Sequence, residues 1–331
     1  MMHAIIYPRT YPQTYPQTTS PQVSPRKTES RAIYGFALAF GLAAVVGLAF
    51  GWGTLTPLFG QHSVGNVASV VAAVAAFVTF WAAYRAPEPP PGVRDDHWAP
   101  GAQRWLTRAA LAFIHAAIAL LLAVVAFFLA QSGFQGLSLD TWSTAAFTGL
   151  AAGLAGYYAY LTGAAMTALR LSTSLAVFTV AGAMTSMITA PNPYWWQIHF
   201  SSLGTTGGAS AATFNLTLTL AGLVMVCLAD FVATDFWRLQ QAQGERWSAV
   251  KVRTIRLIIA GIGLMLAGVG LFKADVYVGL HRLSAAGMAV LFIGLVAALR
   301  QLVPTFTKAF FAFSYGLVGL IFLGLWLWHR L

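Results

Sequence analysis

The chain alternates between long apolar stretches and short polar gaps from Ile33 to Trp328. Each stretch is rich in Ala, Leu, Val, Phe and Gly and approaches the length of about 20 residues that an α-helix needs to cross the hydrocarbon layer of a membrane. We therefore predict an all-α fold, a polytopic transmembrane bundle of about nine spans. The predicted spans are residues 33–55, 66–84, 106–130, 144–163, 171–190, 212–231, 254–272, 281–299 and 308–328.

Basic residues are distributed unevenly between the polar gaps. The gaps on one side of the predicted bundle hold 16 of the 19 Lys and Arg residues, and those on the other side hold Lys273, Arg282 and Arg330 only. Multi-spanning proteins concentrate Lys and Arg in their cytoplasmic loops. The pattern predicts a cytoplasmic N-terminus, a C-terminus on the outer side and the bacterial inner membrane as the location.

Composition argues against other classes of protein. The chain is 58% hydrophobic and 8% charged, and its apolar segments exceed what a soluble globule of 331 residues could cover with polar surface. The net charge of +10 comes from residues that flank apolar spans, so we predict membrane lipids as partners and no nucleic acid. Cys227 is the single cysteine, which excludes an intrachain disulfide and a thiolate metal cluster. We expect no cofactor.

Polar, proline-rich segments divide the chain. Residues 1–32 begin with a Tyr-Pro-x-Thr repeat and predict a disordered cytoplasmic tail, either passive or used for docking or phosphorylation. Residues 85–105 contain a run of prolines, which forbids a continuous helix and predicts a cytoplasmic linker. We therefore predict a first block of three spans over residues 33–130 and a second block of six spans over residues 144–331.

Glycines recur at helical spacing in two of the predicted spans. Gly47 and Gly51 are four residues apart, as are Gly149 and Gly153, and Gly156 follows. Small residues at this spacing let helix backbones approach closely in membranes. The pattern predicts tight packing within the chain, and a dimer contact is the alternative.

Two connections on the predicted outer side carry most of the candidate functional residues. Residues 191–208 are polar, aromatic and uncharged, whereas residues 272–282 hold most of the charge on that side. We predict that the two connections lie against each other at the outer membrane face. The candidate binding residues are His199, Ser202, Asn215, Asp275, His281 and Arg282.

The chemistry of these residues leaves several interpretations open. The first is a structural hydrogen-bond network, and the second is a lipid-headgroup site in which His281 or Arg282 faces a phosphate. A third is hydrolysis or acyl transfer, with Ser202 as nucleophile and His199 or His281 as base. A zinc site built from His199, His281 and Asp275 is chemically allowed, although these residues lack the dense spacing of typical zinc ligands.

Ionisable residues also occur inside or near the predicted spans. His115 is the histidine that lies well inside a span, where an ionisable side chain is a functional candidate, although a neutral imidazole with one hydrogen bond is also compatible with a bundle. Asp230 and Asp235 lie near the inner end of the sixth span. With Arg238, Arg253 and Arg256 they predict a salt-bridge cluster, and a proton path is the alternative.

Short motifs in the second block resemble those of a known family. Ser201-Ser202-Leu203-Gly204 is followed by Phe214-Asn215, and Gly270-Leu271-Phe272 precedes Leu280-His281-Arg282-Leu283-Ser284-Ala285. These stretches resemble the bacterial domain-of-unknown-function 998 family, which is distantly similar to eukaryotic Frag/DRAM/Sfk-type membrane proteins. The resemblance covers roughly residues 145–328 and departs at Lys273, where the family pattern has proline. It implies a permease-like membrane protein concerned with lipid or the cell envelope and offers no catalytic residue.

Together these patterns predict a non-enzymatic inner-membrane protein. It would bind lipid or act as an accessory or permease-like subunit of a transport or cell-envelope complex, with possible protein partner subunits. A membrane-embedded hydrolase or acyltransferase is the first alternative. A secondary transporter is the second, although the spans contain few polar residues from which to build a continuous path.

Overall fold

The computed structural model describes residues 25–84, 101–205, 207–243, 249–302 and 307–328. Long helices dominate this part of the chain: α1 (Pro25–Phe50), α2 (Val64–Ala83), α3 (Gly101–Gly133), α4 (Thr141–Ala164), α5 (Ala168–Ile188), α6 (Gly208–Gln243), α7 (Ala249–Leu271), α8 (Val278–Leu302) and α9 (Lys308–Trp328). Two short strands, β1 (Thr56–Pro57) and β2 (Ser138–Leu139), and two 3₁₀ helices, Trp195–Gln197 and Phe200–Gly204, lie in the connections.

Seven of the described helices are long and apolar enough to cross a membrane: α1, α2, α3, α5, α6, α7 and α8. The helix α4 is equally long, but its Gly, Thr and Tyr residues make it less apolar. In α9 the apolar stretch is shorter. The all-α bundle is therefore confirmed, with seven helices that are candidates to span a membrane, while the number of nine spans and the cytoplasmic N-terminus stay predictions.

Two helices begin before the predicted spans to which they correspond. α1 begins at Pro25, so residues 25–32 are helical and the predicted tail of residues 1–32 is shorter by that stretch. Proline is well accommodated in the first turn of a helix, and the Arg, Lys and Glu residues that follow favour helix. α3 begins at Gly101, so the end of the predicted linker is also helical. Residues 1–24 and 85–100 lie outside the described part of the chain.

The helices α1 and α4 approach closely along small residues. A Cβ atom at Gly47 would lie 2.8 Å from the Ala145 Cα atom, and one at Gly153 would lie 2.8 Å from the Phe36 ring. These distances leave no room for a larger side chain. The predicted close packing at these glycines is confirmed, and it takes place within one chain.

Helix contacts divide the bundle into two groups. α4 packs on α1 and α2, and α2 also packs on α3, whereas from α5 onwards each helix packs on the next. The two groups meet mainly where α3 packs on α5, a surface we call the seam. The change of partners falls between α4 and α5, one helix later than the predicted block boundary, because the small-residue face of α4 fits against α1 and α2.

A short ladder joins the connections that follow α1 and α3. β1 and β2 pair antiparallel, and the Thr56 hydroxyl lies 2.7 Å from that of Thr144 in α4. Asp140 caps the start of α4, where its carboxylate accepts the backbone N–H of Ser143 at 2.8 Å. That hydrogen bond holds the pKa of Asp140 below its ordinary value. The ladder therefore places the ends of α1 and α3 beside the start of α4.

Cationic side chains cap the ends of α2, α4 and α8. Arg108 donates from Nε, at 3.0 Å, and from Nη2 to the Trp81 carbonyl in the last turn of α2, and its guanidinium lies 4.6 Å from the Trp81 ring centre. Arg170 donates to a carbonyl in the last turn of α4 at 2.8 Å, and Lys251 does so in the last turn of α8 at 3.2 Å. A cation at a helix C-terminus interacts favourably with the helix dipole. We call these three helix ends the cationic face.

The ends of α1, α3, α5 and α7 are capped by other polar groups. Thr141, Gln131, Thr189 and His281 donate to carbonyls at these ends at 2.7, 3.2, 2.8 and 2.9 Å, respectively. We call this set of ends the opposite face. Among the described ends for which a cap is given, Arg and Lys cap α2, α4 and α8, and other groups cap α1, α3, α5 and α7. The basic caps therefore lie at the ends next to the Lys- and Arg-rich gaps of the sequence.

Candidate functional site

The predicted site residues of the second connection lie at the end of α7. His281, in the first turn of α8, donates its Nδ1–H to the carbonyls of Phe272 and Val269 at 2.9 and 3.2 Å and so caps α7. Asp275 and Arg282 are exposed. Neither of them forms an ion pair with another described residue. The imidazole of His281 therefore has a structural use, while Asp275 and Arg282 remain open to solvent or to lipid headgroups.

The first connection folds back on itself. Ser202 is buried, and its hydroxyl donates to the Trp195 carbonyl at 3.3 Å. His199 is exposed, and its Nδ1 atom lies 3.1 Å from the hydroxyl oxygen of Ser201. Asn215, in α6, donates its amide to a carbonyl of the second 3₁₀ helix at 2.9 Å. These bonds hold the connection against the start of α6.

The predicted catalytic and zinc arrangements are not assembled in this structure. Among the described residues, no hydrogen bond or aromatic contact joins residues 194–204 to residues 273–282. The hydroxyl of Ser202 donates to a backbone carbonyl and makes no hydrogen bond with His199 or His281. The described residues also contain no group of three His, Cys, Asp or Glu side chains suited to a metal ion. The contacts favour structural roles for Ser202 and His281, and headgroup binding by the exposed residues stays a prediction.

A half-open groove lies beside the first connection, between α5, α6 and the second 3₁₀ helix. Its volume is about 130 Å³, and its exposed lining is apolar. The hydroxyl of Thr179 donates to the Leu175 carbonyl at 2.8 Å and offers no free donor to the groove. Val180 is 59% exposed, so the groove opens on the side of the bundle. The lining residues are Thr179, Val180, Ala183, Phe200, Phe214, Thr217 and Leu218.

Aromatic rings connect this groove to the predicted interfacial segment. The rings of Trp195 and Phe200 lie 6.2 Å apart, and those of Phe200 and Phe214 lie 5.3 Å apart, both edge to face. Ala183 lies about 8 Å below the end of α5 at the usual helical rise of about 1.5 Å per residue. Phe200 therefore covers an apolar groove that begins just beneath the opposite face.

Sequence reasoning did not identify the groove. Ala183 and Phe214 are ordinary apolar residues of two different spans, and no spacing between them indicates a shared wall. The one available signal was Gly182, where the absence of a side chain lets Thr217 of α6 approach. The adjacent prediction of a site near His199 and Asn215 was made from polar residues alone.

Two further groups of polar residues were predicted inside the chain. Arg256 Nε lies 2.6 Å from an Asp230 carboxylate oxygen, which confirms the salt-bridge interpretation for this pair. Both side chains are about half exposed, so the pair contributes little to stability. The side chain of Arg238 lies outside the described part. His115 is buried and makes one hydrogen bond, from Nδ1 to the Leu111 carbonyl at 2.8 Å.

Comparisons of the chain with protein-family models, with curated proteins and with solved structures find no match. The resemblance to the bacterial domain-of-unknown-function 998 family therefore stays a prediction. The functional argument rests on the residues of this chain.

Proposed function

We propose that this chain is a multi-spanning protein of the bacterial inner membrane that binds a membrane lipid in the groove between α5 and α6. It acts as a non-enzymatic accessory or permease-like subunit of a transport or cell-envelope complex. The groove carries this proposal, because it is apolar, opens on the side of the bundle and lies next to an aromatic connection.

The membrane setting is supported by the helices and their caps. Seven helices are apolar enough to span a bilayer, and the Arg and Lys caps lie at the ends of α2, α4 and α8. Cytoplasmic loops are rich in Lys and Arg, which supports a cytoplasmic side for this face. With α4 and α9 added to the seven helices, the chain crosses the membrane nine times with its N-terminus inside.

The chemistry of the groove fits an acyl chain better than a polar ligand. Apolar cavities of about this size stay free of water and take up small hydrocarbons. Burial of apolar surface is favourable by about 25 cal/mol per Å², and the exposed surface of the groove wall is apolar. The nearby exposed residue His199 and the half-buried Ser201 then lie at the depth of the headgroup. Tyr194, Trp195 and Trp196 supply the aromatic rings that favour this depth.

The hydrolase and acyltransferase alternative has less support. A nucleophilic serine needs a base within hydrogen-bond reach. The Ser202 hydroxyl instead donates to the Trp195 carbonyl and is buried, and the His199 ring is paired with Ser201. A structural role for Ser202 accounts for these contacts.

Filling the groove should weaken lipid binding. An Ala183→Phe substitution places a ring in the groove, and a loss of about 1.4 kcal/mol of apolar contact corresponds to about a tenfold weaker affinity. The measurement uses the full chain in phosphatidylglycerol–phosphatidylethanolamine vesicles that contain a phospholipid with a diazirine on its acyl chain. After irradiation, mass spectrometry should find residues 179–183 and 214–218 of the unsubstituted protein labelled above the background level. This labelling should fall about tenfold in the variant.

The control is Ala286→Phe, which adds the same ring to an exposed position of α8 away from the groove. It should leave groove labelling unchanged. Labelling near the exposed residue Val290 gives the background from lipids that merely surround the bundle. Equal labelling of the groove and of this background, or no effect of Ala183→Phe, would refute lipid binding in the groove.

A further inference from the structure

Two buried side-chain atoms have no hydrogen-bond partner in the part of the chain that the structure describes. They are His115 Nε2 in α3 and Ser174 Oγ in α5. His115 is 2% exposed and Ser174 is 1% exposed, so bulk water does not reach them. A buried polar group without a partner is costly, and its occurrence calls for an unseen partner.

The hydrogen bonds of His115 define what its free nitrogen requires. Nδ1 carries the proton, because it lies 2.8 Å from the Leu111 carbonyl oxygen, which can only accept. In the neutral ring Nε2 is then an acceptor and requires a donor. The ring is also held in place by stacking on Phe80, with ring centres 4.2 Å apart. The acceptor atom therefore has a fixed position in the core.

Ser174 differs from its neighbours along α5. The hydroxyls of Ser172, Thr173, Thr179 and Thr185 all donate to a carbonyl three or four residues earlier in the helix. This local bond is the usual solution for a hydroxyl in an apolar helix. The Ser174 hydroxyl does not make it, although it is more deeply buried than Ser172 or Thr173. Its hydroxyl hydrogen is left for a partner outside its own helix.

Both residues lie on helix faces that contribute to one buried hydrophobic cluster. His115 is flanked on α3 by Leu111 and Ile118, and Ser174 is flanked on α5 by Leu171 and Phe178. These flanking residues belong to one hydrophobic cluster, and α3 packs on α5. An acceptor on α3 and a donor on α5 thus border one apolar cluster, built from residues of α2 to α6, and they are not bonded to each other.

We propose that a single water molecule binds in the seam between His115 Nε2 and Ser174 Oγ. The water donates one hydrogen to the imidazole and accepts the serine hydroxyl, so that one molecule satisfies both groups. Buried waters typically bridge polar groups of this kind. The site gives the seam a polar link in an otherwise apolar contact. This proposal is independent of lipid binding, since none of its residues lines the groove.

The proposal is tested with Ser174→Ala, His115→Phe and the double variant, measured as thermal midpoints in detergent. Phenylalanine keeps a ring on Phe80 while removing the acceptor. If the water joins the two groups, each single substitution should lower the midpoint, because it leaves the other group unsatisfied. The double variant should lie several degrees above the midpoint expected from adding the two single losses. Ser172→Ala, on the same helix, is the control and should leave the midpoint nearly unchanged.

Two unlinked groups would behave differently. Removing an unsatisfied polar atom would then raise the midpoint, or the two changes would simply add, and either outcome would overturn the proposal. A second measurement uses the protein with ¹⁵N-labelled histidine, in which His115→Phe identifies the His115 signals. The Nε2 signal should shift on Ser174→Ala toward that of a nitrogen without a donor. An unchanged Nε2 signal in a folded Ser174→Ala protein would also contradict the water bridge.

Discussion

A Gly47→Leu variant should lose much of its thermal stability in detergent. A Cβ atom at this position would lie 2.8 Å from the Ala145 Cα atom and 3.0 Å from the Thr144 carbonyl oxygen. Both are backbone atoms, so no side-chain rotation can relieve the clash. Overpacking of a core costs about 1–3 kcal/mol, and here it separates α1 from α4, its main partner. The thermal midpoint, followed by circular dichroism, should fall by several degrees.

The control for this variant is Gly41→Leu on the same helix. No heavy atom lies within 4 Å of a Cβ built at Gly41, and the residue is exposed. The two variants add the same side chain and change helix propensity alike, so their difference isolates the contact with α4. Equal midpoints for the two variants would show that α1 does not pack on α4 through Gly47.

An Arg108→Ala variant should also lose stability. It removes charged hydrogen bonds to the Trp81 carbonyl and a cation–π contact with the Trp81 ring. A hydrogen bond to a charged group contributes about 1.5–3 kcal/mol, and an exposed cation–π contact about 0.5–1 kcal/mol. We expect a loss of about 2–3 kcal/mol in the free energy of unfolding, measured by reversible denaturation in mixed micelles.

Two further variants separate the contribution of charge from that of hydrogen bonding. Arg108→Lys keeps the charge near the end of α2 but loses the planar guanidinium, so it should recover part of the loss. Arg253→Ala removes an exposed cation that makes no hydrogen bond or ion pair with another described residue, and it should change stability little. A loss for Arg253→Ala as large as that for Arg108→Ala would attribute the effect to net charge and not to the cap.

The apolar pattern predicted the long helices well because each one satisfies its own backbone hydrogen bonds. A run of apolar residues has few alternatives to a helix in a membrane. The pattern was less informative at helix ends, where α1 continues back to Pro25 through polar residues that favour helix without being apolar. Boundaries of this kind depend on capping and propensity, and a hydropathy profile does not register either.

The sidedness of Lys and Arg was visible in the sequence, but their contacts were not. In the structure, Arg108 and Arg170 each donate to a carbonyl at the end of the preceding helix. Such caps follow from short connections that bring the start of one helix beside the end of another. The spacing of Gly47 and Gly149 predicted that their helices pack closely on a neighbour. It did not predict that α1 and α4 pack on each other.

The functional site was the least predictable part. The predicted site was built from polar residues of the connections. In the structure, Ser202, Asn215 and His281 all make local hydrogen bonds. The groove is made by apolar residues of separate helices. It depends on how these helices pack, which residue spacing within the sequence does not indicate. The unpartnered atom of Ser174 was equally invisible, because a serine in an apolar span usually bonds to its own helix.

Cysteine labelling from the outer side tests the membrane topology on which the whole account depends. In a Cys227→Ala background, single cysteines are placed at Ser132, near the end of α3, and at Gln243, at the end of α6. A membrane-impermeant maleimide added to intact cells should modify the cysteine at position 132 and spare the one at position 243, which should react only after the membrane is opened. Modification of position 243 but not 132 in intact cells would contradict the cytoplasmic placement of the cationic face.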